Sequence, residues 1–320
     1  MFSNAGNITD RSGRTFKTLR VSLLNTCNFG CVYCVEDDKP NIKTEFKPLS
    51  AKKLGETILS LNKILNLKTV RLTGGEPTLY RDLIQLVEIL KNGGIENIKM
   101  TSNGFLLAPV AAQLKEAGLS EVNISLDSVN PEVFYEITRR RALNKVVAAI
   151  DKSIDTGLKI KINTVILKDV NDKEILPLYN FSKRRNISIR FLEVMKMGHL
   201  HSSNFKEKFF SENNILDTIG RVYNFTEIPR KPSSTSRYWK DEDGYVFGII
   251  ANESSPFCSD CDRLRLDSYG NIFGCIGSKS GISILDIEGE KLKENLYLAL
   301  KQKQQEKFIG SDQSMLKIGG

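Results

Sequence analysis

Residues 19–34 read LRVSLLNTCNFGCVYC. The first six carry the β-branched and apolar side chains of a strand. The rest is a loop with Cys27, Cys31 and Cys34 in the spacing C-x3-C-x2-C. Three thiolates on one loop can hold three irons of a [4Fe–4S] cluster, because soft sulfur ligands favour such clusters. The fourth iron then has no protein ligand and can take a cofactor or substrate, as the open position of a catalytic zinc does. A zinc knuckle is the alternative. Zinc takes four ligands, the loop offers three, and only His199 and His201 remain to complete two such shells.

Outward from this loop, strand candidates recur at Leu19–Leu24, Thr69–Thr73, Asn97–Ser102, Glu121–Leu126, Lys159–Leu167 and Ser188–Met195. Helical spacing lies between them. Leu54, Ile58, Leu61 and Leu65 follow a candidate N-cap at Ser50, and residues 82–91, 110–117, 144–155 and 173–183 read similarly. Asn92-Gly93-Gly94 and Gly118 are helix stops. Six strands alternating with helices predict an α/β fold with parallel pairing and right-handed crossovers. After about Tyr223 the pattern weakens, and residues 228–244, IPRKPSSTSRYWKDEDG, read as an irregular linker. This divides the chain into residues 1–226 and 227–320.

The second piece carries Cys258, Cys261 and Cys275, spaced C-x2-C-x13-C, again three thiolates without a fourth. Arg263 and Arg265 alternate just after Cys261, so on a strand both point to one face. Two guanidiniums beside an open cluster suit a phosphorylated ligand.

The 320 residues are 40% hydrophobic and 26% charged, which excludes a disordered chain. No run of about 18 apolar residues predicts a membrane span. The first residues lack the apolar stretch of a signal peptide, so a cytoplasmic address is expected. A disulfide framework would be out of place there, and two tight groups of three cysteines read as metal ligands. The net charge of +8 suits nucleic acid, a membrane surface or a phosphorylated small molecule. Arg139-Arg140-Arg141 is the sharpest basic run and reads as a solvated helix end rather than a groove reader.

C-x3-C-x2-C with Tyr33 before its last cysteine, followed one strand later by Gly74-Gly75-Glu76-Pro77, resembles the radical S-adenosylmethionine (SAM) enzymes. The resemblance implies a partial (βα)6 TIM-like barrel with a C-terminal iron–sulfur region. It also implies an open iron that chelates the amino and carboxylate groups of SAM, and a reduced cluster that cleaves SAM to a 5′-deoxyadenosyl radical. Thr101-Ser102-Asn103, Ser125-Leu126-Asp127, Asn163 and Met195 lie at or near strand C-termini, the rim that builds the active site of parallel βα barrels.

More narrowly, the sequence is similar to the molybdenum cofactor biosynthesis protein A family of GTP 3′,8-cyclases. The likeness runs from about Gly13 to the last residue, through VRLTGGEPTLYRDL, ISLDSVNPEVFYEITRR, INTVILKDVND, IRFLEVM, FCSDCDRLRLDSYGNIFGC and Gly319-Gly320. It implies SAM contacts at Tyr33, Gly75, Ser125 and Met195. It implies GTP contacts at Arg20, Arg71, Thr101, Lys161, Arg190, Arg263 and Arg265, the last two also catalytic. Two [4Fe–4S] clusters are implied, the second binding guanine through its open iron, with the Gly-Gly tail reaching into the site.

The implied reaction removes the ribose 3′ hydrogen of GTP and joins the carbon radical to C8. One electron and one proton complete 3′,8-cyclo-7,8-dihydro-GTP, with the second cluster and an arginine as candidates for that step. The family context further implies cyclic pyranopterin synthase as the next enzyme, a flavodoxin-like electron donor, a homodimer, and neither nucleic acid nor membrane as partner.

Three departures stand out. A family lysine two residues before Arg71 is Thr69 here, the family's Met-Pro after the third cysteine is Val35-Glu36, and the stretch after Cys275 is short. They leave open a paralogue acting on another nucleotide. Peptide maturation by a radical SAM enzyme, and nucleic-acid binding by a zinc protein, are the rival classes.

Overall fold

The computed structural model describes residues 8–36, 47–201 and 205–319. Six strands follow the expected order: β1 (Thr18–Ser22), β2 (Thr69–Thr73), β3 (Asn97–Ser102), β4 (Leu119–Ser125), β5 (Lys159–Ile166) and β6 (Ser188–Glu193). Each pairs in parallel with the next. Between them run the helices α1 (Ala51–Leu65), α2 (Leu83–Asn92), α3 (Ala111–Ala117), α4 (Pro131–Thr138), α5 (Leu143–Asp155) and α6 (Ile175–Arg184).

Local chemistry sets these helix limits. The Ser50 side chain accepts from the Lys53 amide at the start of α1, and Asn66 in the left-handed conformation ends it. Leu54, Ile58 and Leu61 are fully buried, so the helical stripe is the core face. Gly118 ends α3 at φ 114°, where only glycine is unstrained. Of helix α4 the sequence shows only the end at Arg139, its C-cap, and there Arg139 and Arg140 are half-buried and donate to the Val35, Glu36 and Asn28 carbonyls instead of lying in solvent. The helix has only eight residues, too few for a clear period, and rests on its Asn130 cap and on Pro131 in the first turn.

The larger correction is C-terminal. The stretch 228–244 is not all linker. After α7 (Phe205–Lys208) and α8 (Glu212–Gly220) come β7 (Phe225–Ile228), β8 (Arg237–Asp241) and β9 (Val246–Ile250), so residue 226 lies inside a strand. Strand β9 pairs in parallel with β6, while β8 and β7 extend the sheet antiparallel. An outer antiparallel strand keeps one face in water, so polar residues obscure it.

Strand β10 (Arg263–Leu266) adds in parallel to the other edge, beside β1, followed by β11 (Asn271–Phe273) and β12 (Ile282–Ser283). The sheet order is β12-β11-β10-β1-β2-β3-β4-β5-β6-β9-β8-β7. The expected six-strand partial barrel is present, widened by one parallel strand on each side. Helices α9 (Gly289–Leu300) and α10 (Met315–Ile318) complete the chain. No helix among the described residues is long and apolar enough to cross a membrane.

Candidate active site

The strands enclose a cavity of about 610 Å³, lined by all six cysteines and by Tyr33, Gly75, Ser125, Met195, Arg20, Arg71, Thr101, Lys161, Arg190, Arg263 and Arg265. Gly319 packs beside it, against Thr73, Ser22 and Gly74. Gly320 lies outside the described residues.

The cysteine loop and the Gly-Gly-Glu turn form one unit. The Gly75 amide donates to the Leu24 carbonyl at 2.7 Å and the Glu76 amide to the Thr26 carbonyl at 2.8 Å. A Cβ on Gly75 would stand 1.8 Å from the Thr26 carbonyl oxygen, so only glycine lets the two backbones meet. The buried Glu76 carboxylate accepts from the Ser102 hydroxyl at 2.7 Å and from the Asn103 amide at 2.7 Å. The Asn103 side chain in turn reaches Asn28 Oδ1 at 2.7 Å and Cys27 Sγ at 3.7 Å. A backbone amide, that of Phe29, also points at Cys27 Sγ at 3.4 Å. Burial pushes the Cys27 thiol up to about 11, and these donors work against it, toward the thiolate that ligates iron. Tyr33 donates to Asp127 at 2.8 Å, which fixes its ring at the cavity wall.

Strand direction places the second cysteine group. Cys27 leaves the C-terminal end of β1, while Cys261 precedes the N-terminal end of β10, which runs parallel to β1. Cys275 follows β11, antiparallel to β10, and so returns to that same end. The two cysteine groups therefore face the cavity from opposite ends. Around Cys261 the environment is cationic: Arg263 Nε lies 3.4 Å and Lys303 Nζ 3.2 Å from its Sγ. Burial raises the Cys261 thiol pKa, but these two cations outweigh it and bring the group down to about 6. Cys258, buried with less help, is pushed up to about 11.

Basic side chains fill the wall between the two groups. Arg20, Arg71 and Arg265 stand side by side in register on β1, β2 and β10. Burial, then the charges of Arg265 and Arg71, hold the Arg20 guanidinium well below its usual pKa. Burial and Arg190 bring Arg71 down to about 10 against the pull of Glu121. Arg190 is braced by two hydrogen bonds to Asn163 Oδ1, at 2.9 and 2.6 Å. Arg263 Nη2, Thr101 Oγ1 and Asn123 Oδ1 are buried without a hydrogen-bond partner among the described residues. Buried polar atoms in folded proteins are nearly always satisfied, so a polar occupant fits this wall. Arg265 Nη1 also holds the Ile318 and Gly319 carbonyls, which anchors the C-terminal segment.

Sequence reasoning missed Lys99, Glu121 and Lys303. Lys99 lies two residues before Thr101, and Glu121 two before Asn123, so the two-residue strand period carried a signal for both. Lys303 follows α9 and reaches Cys261 only through the fold.

A widened parallel barrel with three cysteines after its first strand defines the class. The sequence profile of the Radical SAM superfamily matches residues 21–182, and that of the Molybdenum Cofactor Synthesis C family matches residues 187–309. The crystal structure of Streptococcus suis SuiB bound to S-adenosylmethionine shares the fold, with a TM-score of 0.60 at 15% identity over 88% of this chain and 68% of that one. Among curated proteins, the GTP 3′,8-cyclase of Nautilia profundicola is 38% identical over 84% of this chain and 83% of its own length. That of Helicobacter pylori is 36% identical over 92% of this chain and 91% of its own. The chain belongs to the radical SAM superfamily and, within it, to the family of the GTP 3′,8-cyclases.

Proposed function

We propose that this chain is a radical SAM GTP 3′,8-cyclase, converting GTP to 3′,8-cyclo-7,8-dihydro-GTP in molybdenum cofactor biosynthesis. The observation that carries the reading is the cavity itself: a cysteine triad at each end and an arginine wall between them. A polyanion held by that wall has one end toward each triad.

Cys27, Cys31 and Cys34 are assigned to the [4Fe–4S] cluster that binds SAM, with Tyr33, Gly75, Ser125 and Met195 around the cofactor. When bound, cluster and SAM supply the 5′-deoxyadenosyl radical that takes the ribose 3′ hydrogen. Cys258, Cys261 and Cys275 are assigned to a second [4Fe–4S] cluster that meets the guanine base. The cations at Cys261 support the second assignment by favouring the thiolate that iron needs, and the amide donors at Cys27 support the first by working against the burial that raises its thiol.

Arg20, Arg71, Lys161 and Arg190 clamp the triphosphate by charge-assisted hydrogen bonds. Thr101, Arg263 and Arg265 line the same substrate site, the two arginines near where the final electron and proton arrive. Walls that exclude water and fix the ribose against the base keep the radical from side reactions. Residues 1–226 supply the six central strands of the radical SAM barrel, and residues 227–320 supply its flanking parallel strands β9 and β10, the second cluster and the Gly-Gly tail. A cytoplasmic address, a flavodoxin-like donor, a homodimer and cyclic pyranopterin synthase downstream complete the reading.

The test is anaerobic incubation of reconstituted enzyme with SAM, dithionite and either GTP or ATP. GTP should bind in preference, because adenine carries an amino group where guanine has O6 and lacks the N1 proton. Buried partners left unpaired cost about 1–3 kcal/mol each. Binding should weaken sharply in high salt and for guanosine. Equal affinity for the two nucleotides, with no cyclised product, would defeat the reading and favour a paralogue acting on another nucleotide or a peptide.

A further inference from the structure

Arg265, Arg20, Arg71, Lys99 and Glu121 are successive register partners across β10, β1, β2, β3 and β4. Neighbouring strands lie about 4.8 Å apart, so the five side chains form one row at one level of the cavity wall. All five line the cavity. The first four are cations and the fifth is an acid.

That acid differs from the others on the wall. Glu76 and Asp127 are taken up by hydroxyl and amide donors, and Asp262 accepts from the Thr18 hydroxyl. Glu121 instead receives three cations: Lys161 at 3.0 Å, Arg71 at 3.3 Å and Lys99 at 3.5 Å. One carboxylate leaves most of their charge uncompensated. The Lys99 side chain is 25% and the Lys161 side chain 30% exposed, so both can reach an occupant of the cavity. Thr69 lines the cavity on the same face of β2 as Arg71, two residues earlier, and brings no charge. Lys99 stands one strand away, beside Arg71.

We propose that Lys99 binds the phosphate chain of the nucleotide and that Glu121 is a positioning residue, gathering Lys99, Arg71 and Lys161 before the nucleotide arrives. The proposal rests on the nucleotide-cyclase reading and deepens it. Like charges this close repel, and a two-oxygen anion among them holds their tips together. An incoming phosphate group competes with that anion. A ligand of low charge only replaces Glu121, whereas a triphosphate satisfies the cations beyond what Glu121 already does. The pair Lys99 and Glu121 thus makes affinity depend on the number of phosphates.

The test is anaerobic equilibrium binding of GTP, GDP and guanosine to reconstituted holoenzyme. Lys99→Met should weaken GTP about tenfold, as loss of one charge-assisted hydrogen bond does, and guanosine less than twofold. Lys99→Arg should retain most of the affinity, and adding Thr69→Lys to Lys99→Met should recover part of it. Glu121→Gln should shrink the ratio of GTP to GDP affinity several-fold. A general structural defect would lower all three ligands alike. Equal weakening of GTP and guanosine in Lys99→Met, or an unchanged GTP to GDP ratio in Glu121→Gln, would overturn the proposal. Failure of the GTP reading is seen separately, as wild-type enzyme that binds ATP as tightly as GTP. The phosphate dependence of Lys99→Met is then read on ATP against adenosine.

Discussion

Arg230 and Asp260 tie together the two arms of the sheet. Nη1 and Nη2 of Arg230 each reach the Asp260 carboxylate at 2.8 Å. Arg230 follows β7 on one arm, and Asp260 precedes β10 on the other. The Ser233 amide and hydroxyl bond the same aspartate, at 2.8 and 2.9 Å. The loop 232–236 that this contact docks is part of the cavity wall.

Replacing Arg230 with alanine should therefore act on substrate more than on stability. The pair is 29% and 33% exposed, and such ion pairs contribute at most about 1 kcal/mol. A fall in Tm of about 2 °C is expected for a chain of this size. The KM for GTP should rise several-fold as the loop loosens, and Arg230→Lys, which lacks the planar fork, should recover only part. Steady-state kinetics with calorimetry check this. An unchanged KM would show that the loop is held by other contacts.

The cysteine triads should be separable. Replacing Cys27, Cys31 and Cys34 together with alanine should abolish 5′-deoxyadenosine formation while leaving about four of about eight irons bound. Iron and sulfide analysis with a visible spectrum reads this directly. Retained SAM cleavage would move the radical site elsewhere.

Arg263→Ala and Arg265→Ala should lower cyclised product far more than 5′-deoxyadenosine. Arg263 sits beside the second triad, at the end of the barrel away from Cys27, and Arg265 two residues further in, level with Arg20. They should also differ from each other. Arg265 holds the Ile318 and Gly319 carbonyls and Arg263 does not, so removing Gly319 and Gly320 should mimic Arg265→Ala. SAM cleavage lost as completely as in the cysteine variant would place these arginines at the wrong site.

Gly75→Ala should be severe. The new methyl would stand 1.8 Å from the Thr26 oxygen, a backbone atom that cannot swing aside. The turn must shift, taking the Glu76 bond to Thr26 and the start of the cysteine loop with it. SAM binding should fall by more than tenfold, a loss above about 1.4 kcal/mol, with the second cluster retained. Equilibrium SAM binding and iron content measure both arms; normal SAM affinity would contradict the account of this turn.

Much of the barrel was legible because its strands are apolar and β-branched and each meets a helix. Thr69–Thr73 and Asn97–Ser102 agree with β2 and β3 at both ends. Of the arms only the short strand at Arg263 and Arg265 was legible, because what makes β9 and β10 parallel members of the sheet is pairing with β6 and β1, far away in sequence. In β8 the buried Trp239 and Asp241 alternate with exposed Lys240, and the buried acid hides the period. Asp241 is buried because Tyr179 and Lys183 satisfy it at 2.7 and 2.6 Å, partners from α6 that local sequence cannot reveal. The site shows the same division. Motif positions were readable, while the meeting of Lys303 with Cys261 arises only in three dimensions.

The pairing of β1 with β10 has a consequence for the order in which the molecule is made. Strand β1 leaves the ribosome early, but the strand that covers its outer edge comes only with residues 263–266. At 5–20 residues per second that wait is on the order of 10 to 50 s. Throughout it the outer edge of β1, the strand that leads into the first cysteine loop, is unpaired. Cys27, Cys31 and Cys34 are synthesised before that edge is covered, whereas Cys258, Cys261 and Cys275 are synthesised only as it is covered. The two triads thus enter the molecule at opposite ends of this wait, the first long before the edge of β1 is covered and the second with the strand that covers it.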